Sequence, residues 1–221
     1  MFAVPGSPEE QLLHTTEYAQ PALFALEVAL HHLLTHHTIT PDYLIGHSLG
    51  EITAAHLAGI LTLPDAAHLI TTRGHLMQTM RTDGAMTAIN ATETEILPTL
   101  TNTASIAALN SPTNTVITGD HTTITTLTTH WKNQGRHTTP LHVSHAFHSH
   151  HTDPILHQLH TTTSTITHHP PTTPLISNLT GTLATPHQHT PEYWTHHARN
   201  PVRFHDGIHH LHTLGVTEYL E

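Results

Sequence analysis

At 221 residues the chain can bury a core as one domain, with room for an inserted subdomain. It has no cysteine, which excludes disulfides and thiolate metal sites. Lys and Arg total 6 against 16 Asp and Glu, which argues against nucleic acid as a partner, and no apolar run reaches the length of a membrane span.

Residues 20–30 carry apolar side chains at helical spacing, with Pro21 near the first turn, and predict a helix. The apolar run 43–45 predicts the end of a buried strand. Gly46-His47-Ser48-Leu49-Gly50 follows, and 51–59 predicts a helix. A further helix is expected at 64–78, with Pro64 at its start. The texture changes at Gly84. Residues 85–90 predict a strand and 92–100 a short helix. Two strands, 104–109 and 115–118, flank the turn cluster 110–114. Residues 121–133 predict a helix closed by Gly135, and 138–143 a last strand. Strand–helix–strand–strand–helix–strand is the ferredoxin-like order. The expectation is therefore an α/β fold with a ferredoxin-like subdomain, residues 84–143, inserted in a larger core formed by 1–83 and 144–221. Residues 164–191 are rich in Pro and Thr, with one strand expected at 174–178, and 193–198 predicts a helix.

The 29 histidines are scattered along the whole chain without an H-E-x-x-H or a repeating unit, and Thr is more frequent still. Most of the histidines read as drift on a solvated surface. Their expected effect is a rise in net charge below about pH 6.5. The first residues lack the basic region and apolar core of a secretory signal, so a cytoplasmic location is expected.

Strand, Gly-His-Ser-Leu-Gly and helix, in that order, make the context of a nucleophile elbow. The flanking glycines leave room for a sharp turn that a Cβ would block. The helix start behind Ser48 offers free N–H groups to a developing oxyanion. The plain alternative is a serine in an ordinary βα turn. A serine hydroxyl needs a base, and the segment 143–151, with His145, His148, His150 and His151, returns from the subdomain toward the elbow. A surface stretch or a metal cluster on these four histidines are the alternatives. The metal reading is disfavoured because no nearby pair of carboxylates completes a first or second shell. Arg73 is one of very few cations, and a planar, permanently charged donor suits a substrate carboxylate.

These residues resemble the acyltransferase domain of a modular type I polyketide synthase, related to malonyl-CoA:acyl-carrier-protein transacylases. The resemblance rests on Thr16 to Ala25, Gly46-His47-Ser48-Leu49-Gly50-Glu51, Arg73 to Gln78, His145-Ala146-Phe147-His148-Ser149 and Asn200-Pro201-Val202-Arg203-Phe204, in family order over nearly the whole chain. It implies a hydrolase-like parallel-sheet core. It makes Ser48 the nucleophile that becomes the acyl ester and His148 the base. No acidic residue completes a triad. A backbone carbonyl, matched near His197, orients the imidazole. The Leu49 N–H is an oxyanion donor, Arg73 grips the malonyl carboxylate, and Asn110 and Gln20 fall at weaker pocket positions. His145 and Phe147 resemble the malonyl-selective signature, as do Leu49 and the run from Thr16 to Gln20. The physical reason is volume: Phe147 fills space that a Ser would leave for an α-methyl group.

The resemblance further implies ping-pong transfer from malonyl-CoA to the phosphopantetheine thiol of an acyl carrier protein, among flanking synthase domains. No metal or redox cofactor of the domain is needed. The family's N-terminal Gly-Gln-Gly-Ser-Gln-type motif and its C-terminal elements are not matched, so a chain truncated at both ends is expected. A non-catalytic fragment and a serine esterase or thioesterase are the alternative readings. The esterase reading predicts an acidic triad member and no need for Arg73.

Overall fold

The computed structural model describes residues 4–221. Helix α1 (Pro8–Leu12) leads into α2 (Thr16–His36), strand β1 (Leu44–Ile45), α3 (Gly50–Leu57) and α4 (Leu63–Gln78). Strand β2 (Gly84–Asn90), α5 (Glu93–Ile96), β3 (Ala104–Ser111), β4 (Asn114–Asp120), α6 (His121–Asn133) and β5 (Thr138–Pro140) follow. A 3₁₀ turn (His150–Ile155) runs into α7 (Leu156–Thr163), and β6 (Leu175–Ile176), α8 (Pro191–Arg199) and α9 (Phe204–Thr213) complete the order.

Two sheets result. β1 and β6 pair in parallel, Leu44 opposite Leu175 and Ile45 opposite Ile176. The other four strands form an antiparallel sheet in the spatial order β3-β4-β2-β5, which is the ferredoxin-like arrangement. Its strands alternate between two cores because successive side chains point to opposite faces. Ile117 packs with Ile89, Ile106, Ile124 and Trp131 under α6, while Val116 faces Met86, Ala108 and Val202. The largest core gathers α2, α3, α4, α7 and α8 around β6, with Phe24, Ile52, Leu69, Leu159, Leu175 and Trp194 in it.

Sheet and helical body are joined by main chain and side chain. Val202 N–H donates to the Ala107 carbonyl at 2.8 Å, and Leu109 N–H donates to the Val202 carbonyl at 2.9 Å. Phe147 packs against both the largest core and the core beneath β2 and β4.

Several boundaries differ from expectation. α2 is longer at both ends, and Pro21 lies inside it. The carbonyl that Pro21 cannot bond is that of Glu17. A Cβ on Gly74 would come within 3.2 Å of that same carbonyl and 3.1 Å of the Thr16 carbonyl, so α4 rests directly on the first turn of α2. The expected turn 110–114 shrinks to two residues, since β3 runs to Ser111 and β4 starts at Asn114. α1, α7 and α9 are not among the elements expected from the sequence and are findings of the structure.

Candidate active site

The elbow is built on contact between strand end and helix start. A Cβ on Gly46 would lie 2.1 Å from the Gly50 carbonyl carbon and 2.2 Å from Glu51 N, so only glycine fits. Gly50 is different: a Cβ there would meet nothing within 4 Å. The motif therefore needs its first glycine for packing, and the expectation that both make room is corrected. Ser48 sits at φ 51°, a left-handed conformation that is strained for a non-glycine residue. Asn178, just past β6, holds it there. Its Nδ2 donates to the Gly46 carbonyl at 2.6 Å, and its Oδ1 accepts from Ser48 N–H at 2.8 Å.

Ser48 Oγ lies 2.9 Å from His148 Nε2. His148 Nδ1 lies 2.9 Å from the Asn200 carbonyl oxygen. A carbonyl only accepts, so Nδ1 carries the proton and Nε2 is left to take one from the serine. Burial, then the Arg73 and His197 charges, hold the His148 imidazole well below the usual histidine range, against the raising effect of the Asn200 carbonyl. It is therefore a neutral base at neutral pH. Arg73 Nη2 donates to Ser48 Oγ at 3.0 Å and Nη1 donates to Gln20 Oε1, while its Nε is buried without a partner. Burial lowers the Arg73 guanidinium to about 10, so it stays charged. The Leu49 N–H, at the entry to α3, makes no hydrogen bond among the described residues.

A profile of the family described as "Acyl transferase domain" matches residues 4–219. The chain belongs to the acyl transferase domain family. It is 45% identical over 225 residues to the spectinabilin polyketide synthase system protein NorB of Streptomyces orinoci, covering all of this chain and 10% of that one. The acyltransferase domain from the second module of the salinomycin polyketide synthase superposes with a TM-score of 0.92 at 41% identity, over 96% of this chain and 50% of that one. The malonyl-CoA:acyl carrier protein transacylase FabD of Xanthomonas oryzae pv. oryzae superposes with a TM-score of 0.87 at 31% identity, over 96% of this chain and 70% of that one. The chain thus spans half the length of the salinomycin domain structure and a tenth of the curated synthase.

In this acyltransferase domain Gln20 is in direct contact with Arg73, whose Nη1 donates to its Oε1. Its Nε2 is spent on Thr16 Oγ1 at 2.7 Å and Met77 Sδ at 3.4 Å, which turns its carbonyl oxygen to the guanidinium. Asn110 does not reach Ser48. Its Oδ1 lies 2.9 Å from His47 Nε2, linking β3 to the elbow. His145 is buried with Nδ1 2.7 Å from Ser144 Oγ, and its ring lies 5.8 Å from that of Phe147.

The carbonyl that orients His148 belongs to Asn200 rather than His197. Inside α8 the carbonyls point along the helix axis, and Asn200 N–H closes the last turn on His196. Pro201 then forces Asn200 extended, at φ −93° and ψ 167°, and frees its carbonyl to turn to the imidazole. His197 has another place. Its Nε2 is 3.4 Å from Glu51 Oε2 and its ring meets His148 edge-on at 6.5 Å.

Glu51 is a hub that sequence reasoning misses. It is wholly buried and accepts from Asn178 N–H at 2.7 Å and from the Tyr193 hydroxyl, with His189 Nε2 at 3.2 Å. Burial would raise its carboxyl, but His197 and His189 outweigh that and lower it to about 2. Burial beside this carboxylate pushes the Tyr193 phenol well above its usual range. The available signal was an acidic residue on the apolar face of the elbow helix, and a Ser-Asn pair at a strand end.

The four-histidine cluster weighed as a metal site does not assemble. Asp120, 30 and 31 residues upstream, reaches both rings, while His145 and His148 face elsewhere. No helix among the described residues is long and apolar enough to cross a membrane.

Proposed function

We propose that this domain moves a malonyl group from malonyl-CoA to the phosphopantetheine thiol of an acyl carrier protein through an ester on Ser48. One observation carries the reading: a buried guanidinium with a spare donor stands at bonding distance from the nucleophile itself. A substrate whose acyl group ends in a carboxylate puts that carboxylate on Arg73 and its thioester carbonyl on Ser48.

Ser48 Oγ attacks the thioester carbon as His148 Nε2 takes its proton. The Leu49 N–H stabilises the tetrahedral oxyanion. The carbon–sulfur bond breaks, and the sulfur leaves as a thiol with the proton returned from His148. The carrier-protein thiol then attacks the ester, His148 takes the thiol proton and returns it to Ser48. The domain contributes no cofactor to these steps, and flanking synthase domains supply the carrier protein. Malonyl over methylmalonyl is supported by the bulk of Phe147 and by the description of the Xanthomonas relative.

A serine esterase places a carboxylate on its imidazole; here that position is a carbonyl, which disfavours that reading. The test is intact-protein mass spectrometry after incubation with malonyl-CoA. A malonyl adduct is expected, and it is expected to be absent in Ser48→Ala. No adduct on the natural chain would favour a non-catalytic role.

A further inference from the structure

Away from Ser48, one cluster brings metal-ligating side chains together. Asp120 ends β4 and stands at the N-cap position of α6, while His150 and His151 follow His148 by two and three residues. His151 Nε2 lies 2.7 Å and His150 Nε2 lies 3.2 Å from the same Asp120 oxygen. The three ligand atoms all fall within 4.8 Å of one another. Two ligands about 2.05 Å from one tetrahedral zinc stand about 3.3 Å apart, so the His151–Asp120 contact, now 2.7 Å, opens by about 0.6 Å on coordination and the His150–Asp120 contact, now 3.2 Å, by about 0.1 Å.

Two further features point to a ligand. An Asp at a helix N-cap ordinarily accepts from the first-turn N–H groups. Asp120 makes no such bond and turns its carboxylate to the imidazoles instead. Each ring also has its Nδ1 buried without a partner, so each makes a single hydrogen bond, to an oxygen it shares with the other. His151 is 2% exposed, so its buried ring rests on that one shared oxygen, and a cation taking both Nε2 atoms would replace the shared bond with two separate ones. The other charged groups facing the cluster are Arg81 and Asp83. Arg81 Nη2 is 3.7 Å from Asp120 Oδ1, but the guanidinium is held by Asp83 through both Nε and Nη2.

We propose that Asp120, His150 and His151 form a site for one borderline divalent cation of the zinc type. Two neutral imidazoles and a carboxylate are the donor set such ions prefer. Asp120 and His150 are partly exposed, which leaves a fourth position open to water. The ion would pin the start of α6 to the segment that carries His148. The site stands on its own geometry and does not depend on which acyl group the domain transfers.

With 29 histidines, total metal uptake says little, so the test reads one site. The chain is titrated with Co²⁺ and its visible ligand-field absorption followed, then Zn²⁺ is added in competition. One equivalent of Co²⁺ is expected to give an intense band that Zn²⁺ abolishes. His150→Ala and Asp120→Asn are expected to lose that equivalent, whereas the exposed pair His36→Ala/His37→Ala keeps it. Zn²⁺ is also expected to raise the thermal midpoint of the natural chain and not that of His150→Ala. His150 is at the rim, so its variant is expected to fold even where Asp120→Asn does not, with circular dichroism as the check. The absence of the band in the natural chain overturns the proposal, as does its survival in folded His150→Ala.

Discussion

Ser48 Oγ has two neighbours with opposite demands. Arg73 donates to it, and His148 waits to accept from it. The arrangement directs the hydroxyl proton toward His148 Nε2 and keeps a guanidinium beside Ser48, which the proposed reading uses for a substrate carboxylate. Replacing Arg73 by Ala is expected to cost malonyl loading about 2–5 kcal/mol, and acetyl loading much less, because only malonyl has a carboxylate to pair. Rates with the two acyl-CoAs measure the difference; equal losses would assign Arg73 to the fold or to the CoA. The pH profile gives a second check. Burial lowers the His148 imidazole, so the neutral base persists below the ordinary histidine range. The acid limb of kcat/KM for loading is expected below about pH 6.5, and to vanish from the profile of residual activity in His148→Ala. Ser48, His148 and Arg73 were legible because each lies in a contiguous motif. Asn178 and the Asn200 carbonyl were not, since they act across 130 and 52 residues through groups that most sequences carry.

At the level of elements, long apolar periodicities were readable and polar ones were not. α6 is rich in Thr, which disfavours helix, yet its expected ends match. Ile124, Leu127, Thr128 and Trp131 make a buried stripe, and the hydroxyls of Thr125, Thr126, Thr128 and Thr129 each return to the carbonyl four residues back. α7 has the same devices with fewer apolar residues, and only packing against α8 and α4 makes it evident. The α2–α4 contact offers an element-scale prediction. Gly74→Ala inserts a methyl group against the Thr16 and Glu17 carbonyls. It is expected to destabilise by about 1–3 kcal/mol, read from the urea midpoint, and to lower malonyl loading by shifting Arg73 next door. The double change His145→Tyr with Phe147→Ser is expected to raise methylmalonyl loading relative to malonyl by no more than about 3 kcal/mol. Phe147 also joins two cores, so the same variant is expected to melt earlier. An unchanged acyl-CoA ratio would remove Phe147 from the pocket.

Across the whole molecule, charge and burial respond differently to acid. Excluding histidine the net charge is −10, and the isoelectric point is near 6.3. Net charge passes through zero near that point, so solubility is expected to be lowest near pH 6.3 by light scattering and to recover on either side. Stability follows the buried groups. The Glu51 carboxyl is lowered to about 2 in the fold, against an ordinary 4.5. Its contribution is therefore complete above the ordinary value and lost as the pH falls from about 4.5 through about 2. His148 adds a loss that begins below about 6.5, where the unfolded chain takes up a proton that the fold resists. Glu51→Gln is expected to be less stable at pH 7, because it replaces the buried carboxylate that accepts from Asn178 N–H and the Tyr193 hydroxyl with an amide whose N–H₂ has no acceptor there. It is also expected to show a flatter decline between pH 4.5 and 2 in denaturant titrations. A parallel decline would place the acid sensitivity elsewhere.

Val202 gives the molecule a lever. It is stitched into the free edge of β3 on both sides, two residues beyond the Asn200 carbonyl that steers the base. Asn200 and Pro201 leave no slack between these points, so the four-stranded sheet and the imidazole are geared together. A displacement of that sheet edge is therefore expected to move the carbonyl and disturb the contact between His148 and Ser48. The ring that faces Ser48 is thus anchored, through the Asn200 carbonyl and Val202, to the edge of the ferredoxin-like sheet.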